Sequence, residues 1–260
     1  MEILLRTVLP TALGVGGATL IGAGIGFIFK NISHKFSDIV LSFAAGVMLA
    51  AAILGLILPS VEYGNELHGG YWGLAVAVGG IMIGALCLNL IDKLVPHLHK
   101  LAGNELEQHT DKTKLNKVLL FVFAIAIHNL PEGIAAGVGF GSGNTGEALV
   151  IAGGIALQNI PEGMVIIAPM LAAGLSKKRT LLYASITGFI EILGTLIGYF
   201  AVSISSVILP YALAFAGGTM LYVISDEMIP ETHAHGSQRG ATYALLIGFC
   251  LMLVFDFILG

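Results

Sequence analysis

The feature that most constrains the fold of this chain is a succession of eight apolar segments, each about long enough to cross a lipid bilayer. They lie near residues 7–29, 38–60, 71–93, 117–140, 147–174, 180–203, 208–229 and 240–259. A helix needs roughly 17–25 mostly apolar residues to cross about 30 Å of hydrocarbon. We therefore predict an all-α integral membrane protein with eight transmembrane helices.

Composition agrees with this fold class. Of the 260 residues, 56% are hydrophobic and 11% are charged, whereas soluble domains carry about 25% charged residues. The 35 glycines fit the close helix packing that small residues allow in lipid. The 12 Lys and Arg residues form no basic patch interleaved with aromatics, which argues against nucleic acid as a partner. We expect a single transmembrane domain over residues 1–260, with the lipid bilayer as its surroundings.

The positions of lysine and arginine orient the spans. If the N-terminus lies outside, only Arg6 falls on the outer side. The other basic residues share the opposite side: Lys30, Lys35, Lys93, Lys100, Lys112, Lys114, Lys117, Lys177, Lys178, Arg179 and Arg239. Because positive residues concentrate in cytoplasmic loops, we expect both termini outside a plasma (inner) membrane. The longest polar connection, about 94–116, is then a cytoplasmic loop.

Two short phrases recur in opposite halves of the chain. Thr19-Leu-Ile-Gly22 returns as Thr195-Leu-Ile-Gly198, and Phe43-Ala-Ala-Gly-Val-Met-Leu49 resembles Phe215-Ala-Gly-Gly-Thr-Met-Leu221. In the orientation above, the two members of each pair cross the membrane in opposite directions. Weak internal symmetry of this kind is typical of inverted-repeat transporters. We predict an inverted 3+2+3 repeat, in which spans 1–3 and 6–8 surround a central pair.

Two copies of one polar phrase interrupt the central pair of spans. They are His128-Asn-Leu-Pro-Glu-Gly133 and Gln158-Asn-Ile-Pro-Glu-Gly163. At about 1.5 Å per residue, His128, Glu162 and the sixth-span Glu191 lie roughly 16–22 Å from the flanking charges, near the bilayer centre. A carboxylate there costs at least about 2.5–3.5 kcal/mol, so such residues usually mark an ion or substrate path.

The residue types in these phrases suit a divalent cation. His128 and Glu132 are four residues apart and share a helical face, as do Gln158 and Glu162. The proline in each phrase cannot donate a backbone hydrogen bond, so each helix should kink and leave a carbonyl oxygen free. Imidazole, carboxylate and amide donors without thiolate fit Zn²⁺, Fe²⁺, Mn²⁺, Co²⁺ or Cd²⁺. We predict such an ion as the transported cargo and no separate cofactor.

These motifs resemble the signature of the ZIP family of divalent-metal transporters, which have eight spans and both termini outside. The likeness covers the whole chain, and the short chain with its two motifs resembles the bacterial, GufA-like branch. It implies a first metal position made by His128, Glu132 and Glu162. It also implies an adjacent second position made by Asn129, Gln158, Asn159 and Glu191. Some members carry Asp where this chain has Asn159, so we expect the second position to hold a cation weakly.

The resemblance further implies metal movement into the cytoplasm by a rocking or elevator-like displacement of the helices that carry the site. A homodimer is also implied. Polar residues cluster at the cytoplasmic end of the seventh span, and we expect them to form metal contacts along the exit path. They are Asp226, Glu227, Glu231, His233 and His235.

Two other functions stay open at this point. A metal-dependent intramembrane hydrolase needs an open metal position and a general base, but its usual His-Glu-x-x-His signature is absent from the sequence. An ion-coupled carrier of small solutes also uses broken helices at the midplane, but its larger cavity should be lined by aromatics. The dense carboxylates favour a small cation. We therefore expect a transporter and not an enzyme.

Overall fold

The computed structural model describes residues 2–29, 33–94, 126, 128–172 and 174–259, and every regular element in them is helical. The main helices are α1 (Leu4–Ile28), α2 (His34–His68), α3 (Trp72–Leu94), α4 (128–139), α5 (Thr145–Val165), α6 (Lys177–Ile204), α7 (Ser206–His233) and α8 (Gln238–Leu259). Within the described part, seven helices are long and apolar enough to cross a membrane, and α4 is not among them. The first part of the predicted fourth span and nearly all of the predicted loop 94–116 lie outside the described residues. The predicted all-α, multi-pass membrane class is confirmed.

Three of these helices contain a π-helical turn just before an internal proline. The turns are Leu4–Val8 in α1, Ala51–Ile57 in α2 and Ile224–Met228 in α7. A proline removes one backbone donor and crowds the preceding turn, and a wider turn accommodates the ring without ending the helix. The second span therefore continues beyond its predicted end near residue 60. It passes through Pro59 and stops before Gly69, whose φ of 75° suits glycine.

The fifth span ends earlier than the sequence predicts. α5 is continuous through Pro161 but stops at Val165, whereas the apolar segment runs to residue 174. A short helix, Ile167–Ala172, follows after a one-residue break. Pro169 supplies a local reason, because its nitrogen cannot donate to the carbonyl of Val165.

The helices pack around a core drawn mainly from α2, α4, α5 and α7. α1 packs along α5 and crosses α6, while α2 contacts both α5 and α8. Many large hydrophobic side chains on α1, α3, α6 and α8 are exposed. An apolar outer surface is expected for a protein whose solvent is lipid. The polar phrases of α4 and α5 thus lie on central helices, away from most of this surface.

Two helix pairs, α2 with α8 and α3 with α7, approach each other in the same manner. In each pair a glycine of either helix lies so close to a backbone carbonyl of the other that a Cβ would collide with it. The contacts are Gly46 to Leu245, Gly248 to Phe43, Gly218 to Ile81 and Gly84 to Phe215. Because small residues let helix backbones approach closely in a membrane, these glycines fix the spacing of both pairs.

Candidate metal site between the central helices

The residues of the two polar phrases meet each other and Glu191 in the interior. The Glu132 carboxylate interacts electrostatically with the carboxylates of Glu162 and Glu191. The Glu162 carboxylate also interacts electrostatically with the His128 imidazole. Five of the seven predicted central residues are at most 2% exposed: Asn129, Glu132, Gln158, Asn159 and Glu191. Helices α4, α5 and α6 therefore bring three carboxylates and an imidazole into one buried region.

The Glu191 carboxylate is held by side chains from two other helices. The Asn129 amide of α4 donates a hydrogen bond to Oε1 of Glu191. The Thr19 hydroxyl of α1 lies 3.0 Å from each of the two carboxylate oxygens. All three side chains are buried. Donors from α1 and α4 therefore make the hydrogen bonds to the Glu191 carboxylate that water would make to an exposed one.

Other oxygens in the same region have no such donor. Asn129 Oδ1, Glu132 Oε2, Asn159 Oδ1 and Glu162 Oε1 are buried without a hydrogen-bond partner among the described residues. The amide nitrogen of Asn159 donates to the carbonyl of Val15 at 3.2 Å. Since buried polar atoms are normally paired, these unpartnered oxygens mark a place where a cation could bind. Carboxylate and amide oxygens are ligands that divalent ions accept.

The imidazole of His128 is paired with the seventh helix. Its Nε2 lies 2.9 Å from Oε1 of Glu227, and the two side chains are 11% and 18% exposed. Glu227 also interacts electrostatically with Glu162. The sequence places Glu227 on the exit path, and the structure brings it into direct contact with the central site.

The ligands of the predicted first position are near one another but do not enclose a common point. Within the described ranges, no three His, Cys, Asp or Glu side chains are grouped closely enough to hold a metal ion. This includes His128, Glu132 and Glu162. The Nε2 of His128 is oriented towards Glu227, so in this arrangement that nitrogen faces α7 and not the carboxylates of Glu132 and Glu162.

The predicted exit-path residues do not act as one cluster. The Nδ1 of His233 lies 2.9 Å from the carbonyl of Ile229, and its Nε2 lies 3.2 Å from the Thr242 hydroxyl. The Nδ1 of His235 lies 3.1 Å from Asp38 Oδ1, and Asp38 is 3% exposed. His233 and His235 thus have different partners and do not form a chelating pair.

The predicted exit-path residues Asp226 and Glu231 differ from each other in solvent exposure. Asp226 is exposed and Glu231 is partly buried. Both lie close to Glu227 along α7, but only Glu227 is paired with the central histidine.

Sequence reasoning missed Thr19 and Asp38. Thr19 carries no signal in the sequence that links it to Glu191. Its counterpart in the repeated phrase, Thr195, donates its hydroxyl to the backbone carbonyl of Glu191 at 2.9 Å, a bond between residues four apart in α6 that helical threonines commonly make. Asp38 carries no signal either, since its partner His235 is remote in sequence.

Comparisons with known proteins agree on one family. Residues 102–256 match the family described as ZIP Zinc transporter. The chain is 40% identical to Zinc transporter GufA of Myxococcus xanthus over 97% of this chain and 98% of that protein. It is 38% identical to Zinc transporter ZIPB of Bordetella bronchiseptica, covering 94% of this chain and 78% of the relative. It is 32% identical to Zinc transporter ZIP11 of Homo sapiens, covering 94% of each chain.

Proposed function

Because this chain belongs to the ZIP family of zinc transporters, we propose that it carries Zn²⁺ and related divalent ions across a membrane through the polar site of α4, α5 and α6. It is a transporter of divalent metal and not an enzyme. Fe²⁺, Mn²⁺, Co²⁺ and Cd²⁺ are further candidate cargoes, because imidazole, carboxylate and amide donors accept all of these ions.

The observation that carries the proposed site is the set of buried, unpartnered oxygens beside three carboxylates. Glu132, Glu162 and Glu191 interact electrostatically with one another, and oxygens of Glu132 and Glu162 have no hydrogen-bond partner among the described residues. Carboxylates held together in a low-dielectric interior repel each other, so they either take up protons or gain a positive counter-charge. A divalent cation supplies that charge and coordinates the free oxygens.

The proposed ligands divide into two positions. His128, Glu132 and Glu162 would hold the principal ion. A weaker neighbouring position would use Asn129, Gln158, Asn159 and Glu191. We propose that His128 exchanges between Glu227, which its Nε2 contacts in this structure, and the ion held by the carboxylates of α4 and α5. The ion gains and loses its nitrogen ligand in this exchange, which couples the site to the end of α7.

The proposed exit path leads from the site along α7 to the cytoplasm. Glu227 stands at its start, and Asp226, Glu231, His233 and His235 follow. The excess of Lys and Arg on one side supports the orientation with both termini outside, and transport would run inward. Assembly as a homodimer is part of the same proposal.

The proposed mechanism relies on an inverted repeat of α1–α3 and α6–α8 around the central pair, with eight spans in all. The equivalent glycine contacts of α2 with α8 and of α3 with α7 support this repeat. The two copies of the Thr-Leu-Ile-Gly phrase support it as well, since they lie in α1 and α6, the first helices of the two proposed repeats. Two similar scaffolds on either side would let the central helices move between inward-open and outward-open arrangements.

The proposed site is tested by removing one carboxylate charge at a time. Glu132→Gln and Glu162→Gln keep the side-chain shape but lose a strong metal ligand, so Zn²⁺ uptake into proteoliposomes should fall to background. Glu147→Gln is the matched control, because Glu147 lies at the start of α5, where its carboxylate accepts a hydrogen bond from Asn144 at 2.8 Å. Its uptake should equal that of the wild type. Wild-type uptake by both site variants, at equal protein incorporation, would refute the assignment.

A further inference from the structure

We propose that Thr19 is a positioning residue that holds the Glu191 carboxylate against α1 and thereby limits the site to one bound divalent ion. The inference rests on the proposed function, since it concerns the second position of the same site. Thr19 belongs to α1, outside both polar phrases, and its hydroxyl reaches a carboxylate on α6.

The Thr19 hydroxyl interacts with both oxygens of the Glu191 carboxylate. Its hydroxyl oxygen is 3.0 Å from both Oε1 and Oε2 of Glu191, so its single proton is shared between them. The Asn129 amide donates to Oε1 from the other side. Glu191 is fully buried and Thr19 is 2% exposed. Both carboxylate oxygens are thus engaged by donors of the protein.

The position of Thr19 is fixed by close backbone contacts of α1. Gly16 of α1 and Gly188 of α6 lie so close that a Cβ on either would collide with the other's carbonyl oxygen. Gly163 of α5 packs in the same manner on the carbonyl of Thr19 itself. Because these glycines let the backbones of α1, α5 and α6 approach closely, the hydroxyl of Thr19 comes within hydrogen-bond distance of Glu191 in this arrangement of the helices.

This arrangement works against a second cation. A hydroxyl placed between the two carboxylate oxygens occupies the position from which both would chelate one ion, so Glu191 cannot act as a bidentate ligand while that hydrogen bond persists. Asn159, the other prospective ligand, is neutral, and its amide nitrogen is bound to the carbonyl of Val15. The second position therefore lacks both an available carboxylate and an additional negative charge.

The experiment compares metal stoichiometry in variants of Thr19. Thr19→Val removes the hydroxyl but keeps the branched shape, and Thr19→Ser keeps the hydroxyl. Equilibrium dialysis of the purified full chain in detergent with Cd²⁺ should give one bound ion per chain for the wild type and Thr19→Ser. Thr19→Val should bind a second Cd²⁺, because Glu191 is released. Thr219→Val is the matched control: Thr219 is a buried threonine of α7 whose hydroxyl donates to the carbonyl of Ala216, and its stoichiometry should stay at one.

Three results would overturn this inference: two tightly bound ions in the wild type, one ion in Thr19→Val, or equal behaviour of Thr19→Ser and Thr19→Val. If Thr19→Val does not elute as a folded protein, Thr19→Ala takes its place, with the same expected gain of one ion over Thr19→Ser. Failure of the proposed function would give a different result, because Glu132→Gln and Glu162→Gln would then take up Zn²⁺ at the wild-type rate. Uptake that depends on both glutamates, together with a single ion in Thr19→Val, overturns the role of Thr19 alone.

Discussion

Glu191 and His128, at the centre of this protein, each have side-chain partners on other helices. Glu191 of α6 is held by Thr19 of α1 and Asn129 of α4, and His128 of α4 is paired with Glu227 of α7. A charged group removed from water is tolerated only when such partners are close. Changes at single residues should therefore alter binding through the partner as well as through the ligand itself.

The pair between His128 and Glu227 leads to a kinetic prediction. In Glu227→Gln the imidazole loses its anionic partner, so it should stay with the bound metal for longer. We expect a lower KM for Zn²⁺ and a maximum uptake rate reduced several-fold, measured in proteoliposomes over a range of Zn²⁺ concentrations. Glu147→Gln serves again as the control with wild-type values. A raised KM with an unchanged maximum rate would instead indicate that Glu227 only attracts metal to the path.

At the scale of the helices, small residues set the distances that bring these partners together. Gly84 of α3 faces the backbone of α7, where a Cβ would collide with the carbonyl of Phe215 and lie 3.0 Å from the nitrogen of Thr219. Gly79, on the same helix, has nothing within 4 Å of the corresponding position. Making the same substitution at these two sites therefore separates the effect of helix packing on stability from the effect of helix propensity.

We expect Gly84→Val to destabilise the protein and Gly79→Val to have little effect. Overpacking a close contact costs about 1–3 kcal/mol, while the change in intrinsic helix propensity is the same at both positions. The measurement is the fraction of monodisperse protein that survives heating in detergent, followed by size-exclusion chromatography. Equal melting of the two variants would show that the α3–α7 contact does not limit stability.

At the scale of the whole molecule, the orientation in the membrane is open to a direct test. Thr145 is exposed at the start of α5, and Lys178 is exposed at the start of α6. With both termini outside, Thr145→Cys should react in intact cells with a membrane-impermeant maleimide, and Lys178→Cys should react only after the cells are opened. The two native cysteines, Cys87 and Cys250, are free thiols and are replaced by alanine in the background. The reverse labelling pattern would invert the proposed direction of transport.

The fold class could be predicted from the amino-acid sequence alone, and so could the set of polar residues that the structure brings together at the centre. Apolar length and the positions of Lys and Arg are properties of the chain, so they are visible without a structure. The two phrases around Glu132 and Glu162 are likewise read directly from the chain, and their resemblance to one family agrees with the comparisons. The predicted end of the second span near residue 60 was wrong, because a π-helical turn lets α2 continue through Pro59.

The pairing of the central polar side chains became visible only once the helices were packed together. Nothing near Glu191 in the chain indicates that Thr19, far away in sequence, donates to it. Nor does the HNLPEG phrase indicate that His128 pairs with Glu227. A buried charged group pairs with the donor or counter-charge that neighbouring helices place beside it. Which helices are neighbours depends on how the glycines of several helices pack together. The sequence therefore predicted the candidate ligands, and the fold determined how these side chains are held.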